Sequence, residues 1–154
     1  MTEQPVSIRP AVGGDLRALC ELNGELGYSS TLEAVETRFE KLMETPGNAV
    51  FVAVAETGMV VGWVHVFGTH RIESDSFAEI GGLVVSDEHR RRGIGRALLD
   101  ATRRWAKSNG HLKLRVRSRA DRDKAHRFFE RSGFAHFKTQ KIFDATLNRG
   151  DREH

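Results

Sequence analysis

Leu83-Val84-Val85-Ser86-Asp87-Glu88-His89-Arg90-Arg91-Arg92-Gly93-Ile94-Gly95-Arg96-Ala97 is the stretch from which the rest of the chain is read. A short apolar run, predicted as a buried strand, leads through a basic loop and two glycines into a helix predicted over 93–109. Ile94, Ala97, Leu98, Ala101 and Trp105 share the inner stripe of that helix, with Arg96, Arg103 and Lys107 outside it. The free N–H groups and dipole of a helix start favour an anion by up to about 2 kcal/mol. Gly93 and Gly95 withhold the side chains that would keep a phosphate from the backbone, and Arg90, Arg91, Arg92 and Arg96 surround them. A dinucleotide fingerprint is excluded because Leu98 stands where a third small residue is needed and no βαβ half repeats. A Walker loop is excluded because no Gly-Lys-Ser/Thr follows the spacer. A phosphate cradle and a merely basic helix start remain.

Working outward, Phe77–Ser86 is the strand entering the loop, and His111–Ser118 is the strand after the helix. In the latter, Leu112, Leu114 and Val116 alternate with Lys113, Arg115 and Arg117. The helix therefore makes a crossover between two parallel strands. Upstream, a strand is expected at Val6–Arg9, a helix capped by Asp15 and ended at Gly27, and a second helix from a Ser30/Glu33 capping box to Pro46-Gly47. Ala49–Ala55 and Met59–Thr69 read as a hairpin across Glu56-Thr57-Gly58. Downstream, Asp121–Ser132 is a helix with Ala125, Phe128 and Phe129 inward, and Phe134–Leu147 is extended, as one bulged strand or two short ones. The fold class is α/β: a mixed sheet with about four flanking helices, in one domain over 1–148 followed by a 149–154 tail.

Composition narrows the function classes. The 154 residues include a single cysteine, Cys20, which excludes an intrachain disulfide framework and a multi-cysteine zinc site; no metal site is expected. No apolar run is long enough for a membrane span, and MTEQPVSIRP has no signal-peptide pattern, so a cytoplasmic location is expected. The net charge of +3 is unevenly spread. Residues 1–85 carry 5 Lys/Arg and 12 Asp/Glu, a net of −7; residues 86–154 carry 19 and 9, a net of +10. The basic half suits an anionic partner and the acidic half a cationic one, with two solvated faces as the plain alternative. Nucleic acid is not the expected partner, because strands with interleaved aromatics and a helix-turn-helix are both missing.

Arg90-x-x-Gly93-x-Gly95 after Leu83-Val84-Val85 resembles the acetyl-CoA pyrophosphate loop of the GCN5-related N-acetyltransferases. Ala125-x-x-Phe128-Phe129-x-x-x-Gly133-Phe134 resembles that family's Ala-x-x-Phe-Tyr-x-x-x-Gly-Phe helix end, and Ile8-Arg9-Pro10-Ala11…Asp15 a common family opening. The resemblance implies parallel central strands that start paired and then splay around the pantetheine arm of acetyl-CoA. It implies backbone contacts from Leu83, Val84 and Val85 to that arm, and a diphosphate cradle from Arg91, Arg92, Gly93, Ile94, Gly95, Arg96 and Ala97. Arg90 and Arg91 would lie near the 3′-phosphate, and Phe128 would wall the channel. Gly81-Gly82 stands where the family often carries a bulge.

The activity so implied is acetyl transfer to a primary amine by direct attack through a tetrahedral intermediate. An alkyl amine is mostly protonated at pH 7, so a base is needed. Glu79, in Phe77-Ala78-Glu79-Ile80, is the candidate, with His65 on the preceding strand second. The family's usual acid, a tyrosine, is Phe129 here, which leaves Tyr28, Ser118 or water to protonate the thiolate. Tyr28, the only tyrosine, lies between the first two helices, a link that overhangs the acceptor site in this family. Glu21, Glu25, Glu33, Glu36, Glu73 and Asp75 favour a small cationic acceptor. The alternatives are a protein lysine or N-terminal amine as acceptor, or a non-catalytic acyl-CoA-binding module. A homodimer is a further possibility that the family allows.

Overall fold

Five strands lie side by side in the order of the chain: β1 (Val6–Pro10), β2 (Asn48–Ala55), β3 (Val60–Thr69), β4 (Phe77–Val85) and β5 (Leu114–Val116). The computed structural model describes residues 6–25, 27–90 and 92–148, in two compact units, Met1–Arg117 and Ser118–His154. The expected 149–154 tail lies outside the described residues. Strands β1 to β4 pair antiparallel, and β5 joins β4 in parallel after the crossover helix α3 (Ile94–Ser108).

Alternation divides the residues of the sheet between two faces. On one, Val50 and Val52 pack with Leu19 of α1 (Leu16–Glu25) and with Val35 and Phe39 of α2 (Leu32–Glu44). On the other, Ala49, Phe51, Val66, Ala78 and Leu114 meet Trp105 and Ala106 of α3. Ile94, Leu98 and Leu99 are at most 1% exposed, so the inner stripe expected from the sequence anchors α3. In the second unit, α4 (Asp123–Arg131) keeps Ala125, Phe128 and Phe129 half-buried, and Gly133 with φ 94° ends the turn.

Several elements differ from those expected. No strand is assigned over 134–148: Phe137, Ile142, Phe143 and Leu147 alternate poorly with polar residues and stand 69–91% exposed. The strand expected over His111–Ser118 pairs only through Leu114–Val116. Asp15 is not an N-cap. It ends a short 3-10 turn (Gly13–Asp15), accepts the Val12 N–H at 2.8 Å and takes both Arg9 guanidinium nitrogens at 2.8 Å. Thr31, not Ser30, caps α2 by accepting the Ala34 N–H, while Ser30 accepts from Arg38.

Candidate active site

The parallel pair opens where the site begins. Pairing runs Ala78↔Leu114, Glu79↔Arg115 and Ile80↔Val116 and then stops, while β4 continues to Val85. The ladder to β5 therefore ends at Ile80, short of the end of β4. Beyond Ile80 the β4 edge that faced β5 offers its backbone groups to something other than a strand, and such groups demand partners. The bulge is present: His65 pairs with Gly82 and Val66 with Ile80, leaving Gly81 as the extra residue.

Leu83 and Val85 are half-buried and Val84 is 2% exposed. A 3-10 turn at Asp87–His89, which periodicity did not signal, then carries the chain to the helix start. Arg90 is folded onto this turn by an ion pair to Asp87 at 2.9 Å. Arg92 is half-buried; Arg91 lies outside the described residues. Gly93 is the N-cap of α3 at φ 79°, left-handed geometry that costs any residue with a Cβ about 1–2 kcal/mol. It makes no side-chain cap bond, and the first intrahelical bond runs from Ala97 N to Gly93 O at 3.0 Å. The first-turn amides of Ile94, Gly95 and Arg96 precede that bond and have no intrahelical acceptor. An anion-bearing, amide-bearing donor such as acetyl-CoA fits both features, the uncapped helix start and the parted strand edge.

Beside them, one face of the sheet carries acid–base groups. Glu79 sits on the face shared with Phe67 and Arg115, and its carboxylate accepts from Arg117 Nε at 3.0 Å. Its side chain is 12% exposed, against 38% for that of Arg117. Phe77, on the same face, has the Arg115 guanidinium over its ring at 4.1 Å. His65 is on the same face, opposite Gly82, its ring 5.2 Å from that of Phe67. Its Nε2 bonds Asn48 Oδ1 at 2.8 Å, and burial lowers its pKa below the ordinary 6.5. A Cβ at Gly81 would stand 2.6 Å from His65 Nδ1, and one at Gly82 would stand 2.6 Å from the Trp63 ring. The two glycines are there to admit two rings of β3.

The structure thus carries the chain from Leu83 to Arg90 towards the helix start, sets Arg92 to Ala97 at it, and places Glu79 and His65 on one face of the sheet. Among the described residues no hydrogen bond joins Tyr28 to these groups. Tyr28 is 62% exposed, its backbone N–H bonds Asn23 O, and its hydroxyl has no partner among the described residues. Phe128 belongs to the second unit, its ring 5.4 Å from Phe129. Asn48 was missed in the sequence; its meeting with His65 depends on a register of β2 against β3 that single-strand periodicity does not contain.

The start of α3, with no side-chain cap, thus follows the end of β4, whose far part has no strand partner on the β5 side, and Glu79 and His65 lie on one face of the sheet. The family model described as "Acetyltransferase (GNAT) family" matches residues 16–134. An aminoglycoside N(6′)-acetyltransferase type 1 of Stenotrophomonas maltophilia is 30% identical over 132 residues, spanning 83% of this chain and 85% of its own. An aminoglycoside 6′-N-acetyltransferase of Acinetobacter baumannii, known by crystal structure, shares the fold at a TM-score of 0.83 and 17% identity, over 94% of this chain and 100% of that one. An aminoglycoside N-acetyltransferase solved in complex with CoA does so at 0.82 and 18%, over 93% and 96%. The chain belongs to the GNAT family. It is an acetyl-CoA-dependent N-acetyltransferase. Among the described residues no helix is long and apolar enough to cross a membrane.

Proposed function

We propose that the chain, acting as one catalytic domain over 1–148, transfers acetyl from acetyl-CoA to the primary amine of a small cationic molecule by direct attack, with Glu79 as general base. The observation that carries the reading is the uncapped start of α3 at Gly93, beside the β4 edge that parts from β5. In this reading the amides from Arg92 to Arg96 hold the diphosphate, the Ala97 amide being taken by Gly93 O, with Arg90 free to exchange its exposed Asp87 partner for phosphate. Leu83, Val84 and Val85 line the donor arm. A backbone N–H near Leu83 stabilises the developing oxyanion.

Glu79 draws the substrate ammonium to the site and takes its first proton. Arg117 holds both carboxylate oxygens, Nε at 3.0 Å from Oε2 and a terminal nitrogen at 3.4 Å from Oε1, and each oxygen keeps a further lone pair for the ammonium. The acidic side chains exposed on α1 and α2, Glu21, Glu25, Glu33 and Glu36, favour a polyamine or an aminoglycoside. The aminoglycoside relative from Stenotrophomonas maltophilia supports the same class. Tyr28 belongs to the acceptor side, in the link between α1 and α2. A reduced, cytoplasmic setting suits Cys20, a free thiol donating to Ser30 O.

The test is CoA release over a panel of aminoglycosides, spermidine, amino acids and lysine peptides. Turnover is expected with the cationic small molecules, and Glu79→Gln lowers it at least tenfold, since general base catalysis contributes about 100-fold or more. Turnover confined to peptides would overturn the acceptor class; a smaller loss removes Glu79 from the base role. Unchanged kcat in Tyr28→Phe removes Tyr28 from proton transfer.

A further inference from the structure

We infer that His65, held by Asn48, is a second catalytic residue that carries a proton from the attacking amine to the departing thiolate. The inference rests on the donor placement proposed above and adds to it.

The chemistry leaves a place for such a group. An ammonium nitrogen loses two protons in becoming an amide nitrogen. Glu79 takes the first, before attack, and passes it to solvent. The second leaves as the C–N bond forms, and one proton must reach sulfur as the C–S bond breaks. A single relay serves both needs, and the balance is one ammonium plus thioester giving amide, thiol and one proton to solvent. The side chain at Phe129 has no hydroxyl to offer.

His65 has the geometry of a relay. Asn48 Oδ1 can only accept, so the 2.8 Å bond places the proton of the neutral ring on His65 Nε2. Nδ1 is then an unprotonated acceptor. Among the described residues it has no hydrogen-bond partner, and it lies over Gly81, where a Cβ would come within 2.6 Å of it. Gly81 is the bulged residue, between Glu79 and the β4 edge proposed to carry the thioester. The ring is braced by Phe67 at 5.2 Å.

Its electrostatics fit the same role. On this face β2 presents Asn48, Val50 and Val52, β4 presents Glu79 and β5 presents Arg115, with Arg117 just past β5 bonded to Glu79. Glu79 is already paired with Arg117, and burial alone depresses the imidazole. The ring is therefore neutral at pH 7 and can accept. Once protonated it is a stronger acid than a thiol of about 8.5, so delivery to sulfur runs downhill. Glutamate at position 65 would hold the wrong charge beside a thiolate.

The experiment uses the whole protein. Nitrogen-15 NMR of the wild-type imidazole is expected to show the Nε2–H tautomer, titration below 6.5, and a shift of the His65 signals on adding CoA. His65→Gln is expected to lower kcat for an aminoglycoside at least thirtyfold, to leave the calorimetric Kd for CoA within threefold, and to remove the acid limb of the kcat profile. Asn48→Ala is expected to mix the tautomers and lower kcat less. An Nδ1–H tautomer in the wild type, His65 signals unmoved by bound CoA, or a folded His65→Gln variant within threefold of wild-type kcat would each overturn the relay. If His65→Gln does not fold, the two wild-type NMR readouts decide. Failure of the wild type to bind CoA would instead overturn the donor placement and, with it, the relay.

Discussion

At the scale of single residues, the site depends on what is missing as much as on what is present. Gly81 and Gly82 have no unusual φ, yet neither can carry a Cβ without meeting His65 or Trp63. Gly81→Ala is therefore expected to destabilise the protein by about 1–3 kcal/mol, the usual cost of overpacking, and to lower turnover by moving the imidazole. Urea unfolding and CoA release measure the two; unchanged values in both would show that the ring has room elsewhere. The family resemblance implied a bulge at Gly81-Gly82, and alternation along the strand marked Glu79 as a strand carboxylate. The sequence could not show that Glu79 is tied to Arg117, 38 residues away, or that Asn48 orients His65, because both pairs exist only once strand register is fixed. Tyr28 is the only tyrosine and lies in the link between the first two helices, a compositional cue and a family position that carry no geometry for its hydroxyl.

Elements were legible where periodicity is strong. The α3 stripe, the glycines at its start and the hairpin of β2 and β3 all follow from apolar spacing and turn chemistry. Boundaries set by side-chain competition were not. Thr31 and Ser30 both offer a hydroxyl, and only the chain's path selects Thr31 as the cap of α2. Over 134–148 the apolar residues suggested a strand, but strand identity needs a paired neighbour, which a one-dimensional pattern cannot guarantee. The helix start itself allows a sharp test. Gly93→Ala puts a Cβ into the left-handed N-cap and is expected to cost about 1–2 kcal/mol of stability in thermal or urea unfolding. A stability equal to that of the wild type would show that the turn is not held in this conformation.

For the molecule as a whole, two buried or paired groups set how stability responds to acid. His65 has its pKa lowered by burial, so the unfolded chain binds a proton first. Stability is therefore expected to fall as pH drops from about 6.5 to the folded value of this imidazole. Asp15 has its pKa lowered by its hydrogen bonds from Arg9, so its contribution is present above about 3.8 and is lost as pH falls through its folded value. Denaturation midpoints against pH should show both losses, the upper one missing in His65→Gln and the lower one reduced in Asp15→Asn. A single loss confined below pH 4 in the wild type would contradict the burial of His65.

Calorimetric titration of the protein with CoA, beside the Gly93→Ala variant, bears most directly on the helix start as the seat of the donor. One site per chain is expected, with affinity at least tenfold weaker in the folded variant. No heat with the wild type, or equal affinity in both proteins, would contradict it.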